Sequence, residues 1–313
     1  MFTPYFSIPH LPFLHISFMQ LSLLLVIIGQ ILNAVIVLID KYIVTSTSIS
    51  RSSVYAFYVA IMSAIVIIMV PFGIVHIPST TVILISLLIG AVFIFSILFL
   101  YESLKNASAT DVVPWLTAVS TIVTFLLGNI ILHEELPHSF PTALVLIVIG
   151  MLLVGHFRFN AKSFIYVVIS GILFGLSAIL TKILFQHADF ADGFFWSRMG
   201  NAVAALGLLL WPSCRQGVLH SSKSAGHKTT YLVVLNRVLG GLAFLCILYS
   251  IRIGSVSIVN SLSSLQFLFI FVLIFLMRNK MVKQYEHEFR PGHVAHKILA
   301  MVFIIAGFFV LFI

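Results

Sequence analysis

Charge is scarce in this chain: Asp, Glu, Lys and Arg make up 8% of its 313 residues, and only nine are acidic. A water-soluble domain carries roughly a quarter charged residues, so this composition excludes a conventional water-facing surface. Cysteine is almost missing as well, with Cys214 in a connection and Cys246 inside an apolar run, which excludes a disulfide framework. The chain also lacks any hydrophilic stretch long enough for a separate soluble domain. Paired intramembrane carboxylates, phosphate loops and nucleophile elbows are missing too. Twelve histidines invite a search for a metal, but "HEELPH" at His133–His138 is not the HExxH pattern. His287, His293 and His296 share one basic connection with Glu286 and Glu288, as a solvated loop would. No enzyme activity, metal or cofactor is therefore expected.

What the chain does have is apolar length. Hydrophobic residues make up 61% and the mean hydropathy is +1.17. A bilayer core about 30 Å thick takes about 20 apolar residues per helix. Ten such runs are read: Met19–Ile39, Val54–Phe72, Val82–Leu100, Val112–Leu132, Phe140–Phe157, Phe164–Phe185, Gly193–Trp211, Thr230–Ile251, Val256–Met277 and Val294–Ile313. Backbone groups in lipid must be satisfied within the segment, so the expected fold class is an all-α integral membrane protein of ten transmembrane helices. The segment 1–18 has Pro4, Pro9 and Pro12 but no Lys or Arg, unlike a cleavable signal peptide.

The net charge of +8 follows membrane topology better than nucleic-acid binding, because the cations are dispersed over the connections. Lys41, Arg51, Lys105, Arg158, Arg278 and Lys280 are among those in odd-numbered connections or at their edges, whereas Lys182 and Arg252 fall in even-numbered ones. The positive-inside rule then puts the odd connections in the cytoplasm and both termini outside, in a cell (plasma or inner) membrane. Asn106-Ala107-Ser108 fits a glycosylation acceptor, a weak three-residue match.

The chain is also written twice. Lys41 in "VLIDKYIV" matches Lys182 in "AILTKILF", and Pro71 matches Pro212, both at an offset of 141. "SLKNAS" from Ser103 matches "SIRIGS" from Ser250 at an offset of 147, and Gly150 matches Gly307 at 157. Five spans separate the copies. An odd number reverses the second copy in the membrane, so residues 19–157 and 164–313 are expected to form two inverted five-helix repeats.

The duplication, the run "LFLYESLKNASATDVVPWLTAVSTIVTFLLGNIILHEELP" and the glycine-bearing "LVLIVIGMLLVG" resemble the drug/metabolite transporter superfamily in its ten-helix EamA-like form. That resemblance covers nearly the whole chain and marks a fold, not a substrate. It implies export of amino acids or related metabolites. The second copy departs from the pattern, having the basic "MRNKMVKQ" where the first has Glu134 and Glu135. Four-helix relatives handle protons with a glutamate in the first helix, but here its middle offers Gln30 and Asn33.

A charge deep in a span costs about 2.5–3.5 kcal/mol on insertion scales and so faces a cavity or a partner. Arg237 is the deepest and heads the expected substrate-binding set, with Asn33, Trp115, Asn236, Asn260 and Gln266 beside it. Its structural alternatives are an ion pair with Glu102 or Asp111, or snorkelling to the interface if the span begins later. Arg198, close to Asp189 and Asp192, is expected in a gate or helix-end salt bridge, and Lys41 and Lys182 as caps at helix ends. Glu102, Asp111, Lys41, Lys182 and Arg198 thus form the expected gating or structural charges. Gly171 and Gly175, spaced as in GxxxG, and Gly240-Gly241 are expected to give small faces for close helix approach.

The function expected from these features is a secondary transporter moving a small polar or amphipathic solute, anions included, by alternating access. The alternative is a non-transporting membrane sensor or assembly subunit on the same fold. Its partners would be membrane lipid and a small-molecule substrate, with no nucleic acid, and monomer and homodimer both open.

Overall fold

The computed structural model describes residues 18–46, 51–154, 160–224, 227–276 and 291–312, which contain helices and connections and no strand. The N-terminal segment 1–17, Arg158 and the stretch 277–290, with its basic residues and His287, lie outside the described residues.

The described helices are α1 (Phe18–Ser46), α2 (Ser52–Ile61), α3 (Thr80–Asn106), α4 (Ala109–Leu127), α5 (Phe140–Val154), α6 (Ala161–His187), α7 (Phe190–Leu208), α8 (Pro212–Ser224), α9 (His227–Ile253), α10 (Val256–Ser261), α11 (Leu265–Leu276) and α12 (Pro291–Phe312). Three of them change pitch, one being α10, which passes through the 3-10 turn Leu262–Ser264 into α11. A 3-10 stretch, Met62–Phe72, continues α2 as far as Gly73, whose φ of 65° ends it just after Pro71. A π turn, Gly128–Leu132, closes α4 before His133 at φ 49°.

Among the described residues, seven spans are long and apolar enough to cross a membrane: Gln20–Thr45, Ser52–Phe72, Thr80–Asn106, Ala109–Leu132, Ala161–His187, Thr230–Ile253 and Val256–Leu276. An eighth arises only if α7 is joined to Pro212–Leu219 across a bend of 99°. The other two expected spans are shorter apolar helices, Phe140–Leu153 and His296–Leu311. At 1.5 Å per residue the 15 residues of α5 reach only about 22 Å, short of a core about 30 Å thick. Large apolar side chains such as Leu84, Leu88, Val238, Leu242, Val302 and Phe309 point outward, as they do in a lipid-facing surface.

Packing pairs α1 with α9, α3 with both α6 and α7, α4 with α6, and α5 with α12. Small residues set the closest approaches. Gly90 of α3 and Gly200 of α7 face each other so tightly that a Cβ on either would strike the other helix's backbone, the Gly200 or the Ser86 carbonyl. Gly171 and Gly175 do form the expected notch: a Cβ there would lie 2.8 Å from the Leu116 and Ser120 carbonyl oxygens of α4. Gly240-Gly241 departs from expectation. Nothing lies within 4 Å of a Cβ at either position, because this part of α9 borders a cavity and not a helix.

Matched positions make matched contacts. The Ser103 hydroxyl donates to the Ser163 carbonyl at 3.1 Å, and the Ser250 hydroxyl donates to the Ser22 carbonyl at 3.0 Å. Gly150 abuts Ala300 and Ile304, while Gly307 abuts Ala143 and Ile147. In every case the residues correspond by the offsets found in the sequence.

Candidate functional site

A cavity of about 350 Å³ lies among the helices. α1, α2 with its 3-10 continuation, α3, α4, α6, α7, α9, α10 and α11 contribute to its wall, and Ser263 lines it from the 3-10 turn Leu262–Ser264 between the last two. Phe93, Phe174, Phe194 and Phe244 supply apolar surface, and Gln30, Asn33, Thr117, Ser120, Asn260 and Gln266 supply polar groups. A mostly apolar chamber with a few polar groups is the usual form of a small-molecule site.

The polar groups are held by one another. Gln30 of α1 donates to the Ser263 hydroxyl at 3.0 Å, and Asn33 donates to Gln30 at 3.4 Å. Gln266 donates to the Asn33 carbonyl at 3.2 Å, tying α11 to α1. The Asn260 amide donates to the hydroxyls of Ser120 (2.9 Å) and Thr124 in α4. Asn33, Asn260 and Gln266 therefore reach the cavity as expected. Trp115 does not line it, packing instead edge-on against Phe164 with ring centroids 5.1 Å apart.

Arg237 lines the cavity, but its partner is neither Glu102 nor Asp111. Its Nη2 lies 2.6 Å from Oδ1 of Asp40 and donates to the Tyr55 hydroxyl at 3.0 Å. Asn236 donates to the same carboxylate oxygen at 2.6 Å, and the Tyr55 hydroxyl donates to it as well. Asn236 is fully buried in this cluster and is not a wall residue. Asp40 was missed by the sequence reading. Glu102 instead sits 4.0 Å from Lys105, and Asp111 accepts a hydrogen bond from Ser108 at 2.8 Å near the start of α4.

Lys41 and Lys182 do cap helices, though not their own. Lys41 donates to the Leu104 and Ala107 carbonyls at the end of α3, the latter at 2.8 Å. Lys182 donates to the Ile251 and Gly254 carbonyls at the end of α9, each at 2.7 Å. Both meet carbonyls that the helix ends leave unpaired. Glu134 serves the opposite pole: its carboxylate accepts from the Val256 N–H at 2.6 Å and from the Ser257 N–H and hydroxyl at the start of α10.

Arg198 differs most from expectation. It is only 9% exposed, and its Nε and Nη2 have no hydrogen-bond partner. The acids near the start of its helix are engaged elsewhere: Asp189 lies 3.6 Å from Arg252, and Asp192 lies 3.0 Å from His76. Its guanidinium carbon sits 3.5 Å from the centroid of the Phe244 ring and 5.8 Å from that of Phe93, on the wall of the cavity. Of the two deep arginines, the one nearer the helix start is thus the one without a carboxylate.

By build, this is a multi-pass helical membrane protein. No family model and no curated protein matches the chain. A solved structure titled only "Crystal structure of protein" superposes with a TM-score of 0.62 at 15% identity, over 92% of this chain and 95% of that one. At that identity the likeness establishes a shared fold alone.

Proposed function

We propose that the protein is a secondary transporter of the drug/metabolite transporter type, carrying a small polar or amphipathic solute by alternating access. The observation that carries this is the 350 Å³ cavity, which draws walls from both halves of the chain and holds a buried cation free of any carboxylate. Two inverted five-helix repeats, 19–157 and 164–313, would meet at that cavity. The matched lysine caps, serine bonds and glycine contacts support this arrangement. Ten spans require α5 and α12 to cross despite their short apolar lengths, within a locally thinned bilayer. Odd-numbered connections on the cytoplasmic side, with both termini outside, follow from the Lys and Arg bias.

Repeats of opposite orientation give two conformations of similar energy, one open to each side. The 3-10 stretch Met62–Phe72 borders the cavity at Met62, Ser63, Ile65 and Val66, and a change of pitch of this kind is a natural place for a span to bend. Purified protein in sealed vesicles should exchange radiolabelled solute against an excess of the same solute inside. Vesicles giving no counterflow with any amino acid, organic acid, sugar or nucleoside would leave a sensor or assembly subunit as the better reading.

A further inference from the structure

We propose that Arg198 is the anion-recognition residue of the cavity, and that its ligand is a singly charged carboxylate with an apolar body and no free ammonium group. The proposal deepens the transporter reading insofar as the ligand is the transported solute, but binding itself does not depend on transport.

Three observations converge. First, a guanidinium buried to this degree without a carboxylate is costly, and cation–π contact with Phe244 and Phe93 offsets only part of that cost. The remainder is available to an incoming anion. Cation–π contact uses none of the N–H groups, and Nε and Nη2, enclosed and without a hydrogen-bond partner, are the donors that a carboxylate would satisfy once side chains shift to admit it.

Second, among the described residues the charges lining the cavity are Asp40, Arg198 and Arg237. Asp40 and Arg237 neutralise each other at 2.6 Å, which leaves one uncompensated positive charge. One negative charge balances it. A dianion would bring a surplus charge into a low-dielectric chamber, and an ammonium group would find Asp40, the one carboxylate lining the cavity among the described residues, already bonded to Arg237, Asn236 and Tyr55.

Third, phenylalanines surround the cation. Phe93 and Phe244 flank Arg198, and Phe174 and Phe194 also line the chamber, so an anion held at Arg198 places its body against apolar surface.

The test is thermal unfolding of the full-length protein in detergent, with acetate, butyrate, benzoate, 3-phenylpropionate and indole-3-acetate as carboxylates. The comparison probes are 3-phenylpropionamide, phenylalanine and phenyl phosphate. The expected result is stabilisation by the larger carboxylates, with binding at least about tenfold weaker for the amide, the amino acid and the phosphate. Arg198→Gln should abolish the stabilisation, and Arg198→Lys, which keeps the charge but not the fork, should retain part of it. Without ligand, Arg198→Gln should melt no lower than the parent protein, since it removes an unpaired buried charge.

Stabilisation by none of the carboxylates, equal stabilisation by the amide, or tightest binding of phenyl phosphate would overturn the proposal. So would an Arg198→Gln protein without ligand that unfolds as early as Arg237→Gln, which would mark a structural cation. Carboxylate binding without flux in vesicles supports the anion site while removing the transporter reading. Flux in vesicles by a protein that none of the carboxylates stabilises does the reverse.

Discussion

Two crossings bring helices together across this bundle by opposite means. Where α3 meets α7, Gly90 and Gly200 remove the side chains and the backbones touch. Where α2 approaches α9, the link runs through side chains: Tyr55 of α2 and Asn236 and Arg237 of α9 converge on Asp40 of α1. The cavity occupies the space beyond, bordered by Val59 and Met62 on one side and Gly240 and Gly241 on the other. Backbone contact has no second low-energy position within reach, whereas a polar cluster can exchange partners. Under the transporter reading, the first crossing is the fixed one and the second is where the bundle can open.

The largest effect should come from breaking the polar crossing. Asp40→Ala leaves Arg237 buried with no carboxylate, and losing one partner of a buried pair costs about 3–5 kcal/mol. Detergent-extracted Asp40→Ala protein should unfold well below the parent, and the double variant Asp40→Ala/Arg237→Leu should recover much of that loss because no lone charge remains. Equal melting of the single variant and the parent would mean that the cluster contributes nothing. Next comes the glycine crossing. Gly200→Leu places a side chain against the Ser86 carbonyl, and overpacking of this kind costs about 1–3 kcal/mol or more when backbone must move. A lower melting temperature and a smaller monodisperse peak in size-exclusion chromatography are expected.

The polar crossing also shows where the sequence was legible and where it was not. The long apolar runs set most helices, and the symmetric Lys41 and Lys182 were recognisable as caps because a cation near a helix end has few other uses. Asp40 was invisible for the same reason: beside Lys41 it reads as half of a local pair. Adjacent residues on a helix point about 100° apart, so Lys41 reaches α3 while Asp40 turns to α2 and α9. Depth along the chain ranked Arg237 above Arg198 as a ligand group. Depth fixes how far a charge lies from water but not which neighbour it meets, and that depended on the fold. Gly240-Gly241 failed as a packing signal likewise, since a small face permits close approach without supplying a helix to approach.

The lysine caps allow a direct comparison of the two halves. Lys41→Met and Lys182→Met each remove charge-assisted bonds to carbonyls, worth roughly 1.5–3 kcal/mol per group. Under the proposed repeat arrangement, matched positions should lose similar stability, so the two melting temperatures should fall together. A large drop for one and none for the other would show that the halves, though similar in sequence, are not equivalent in load.

The smallest effect should come from the open side of the second crossing. Gly240→Ala introduces a Cβ with nothing within 4 Å, so no clash opposes it. Alanine favours a helix interior over glycine by about 0.8–1.0 kcal/mol, so the variant should melt at or slightly above the parent. Gly200→Ala, with the same propensity gain but a backbone carbonyl in the way, should melt lower. That difference in sign is what the two crossings require. A Gly240→Ala protein as damaged as Gly200→Ala would mean that α9 spends most of its time against a neighbour, with the cavity closed.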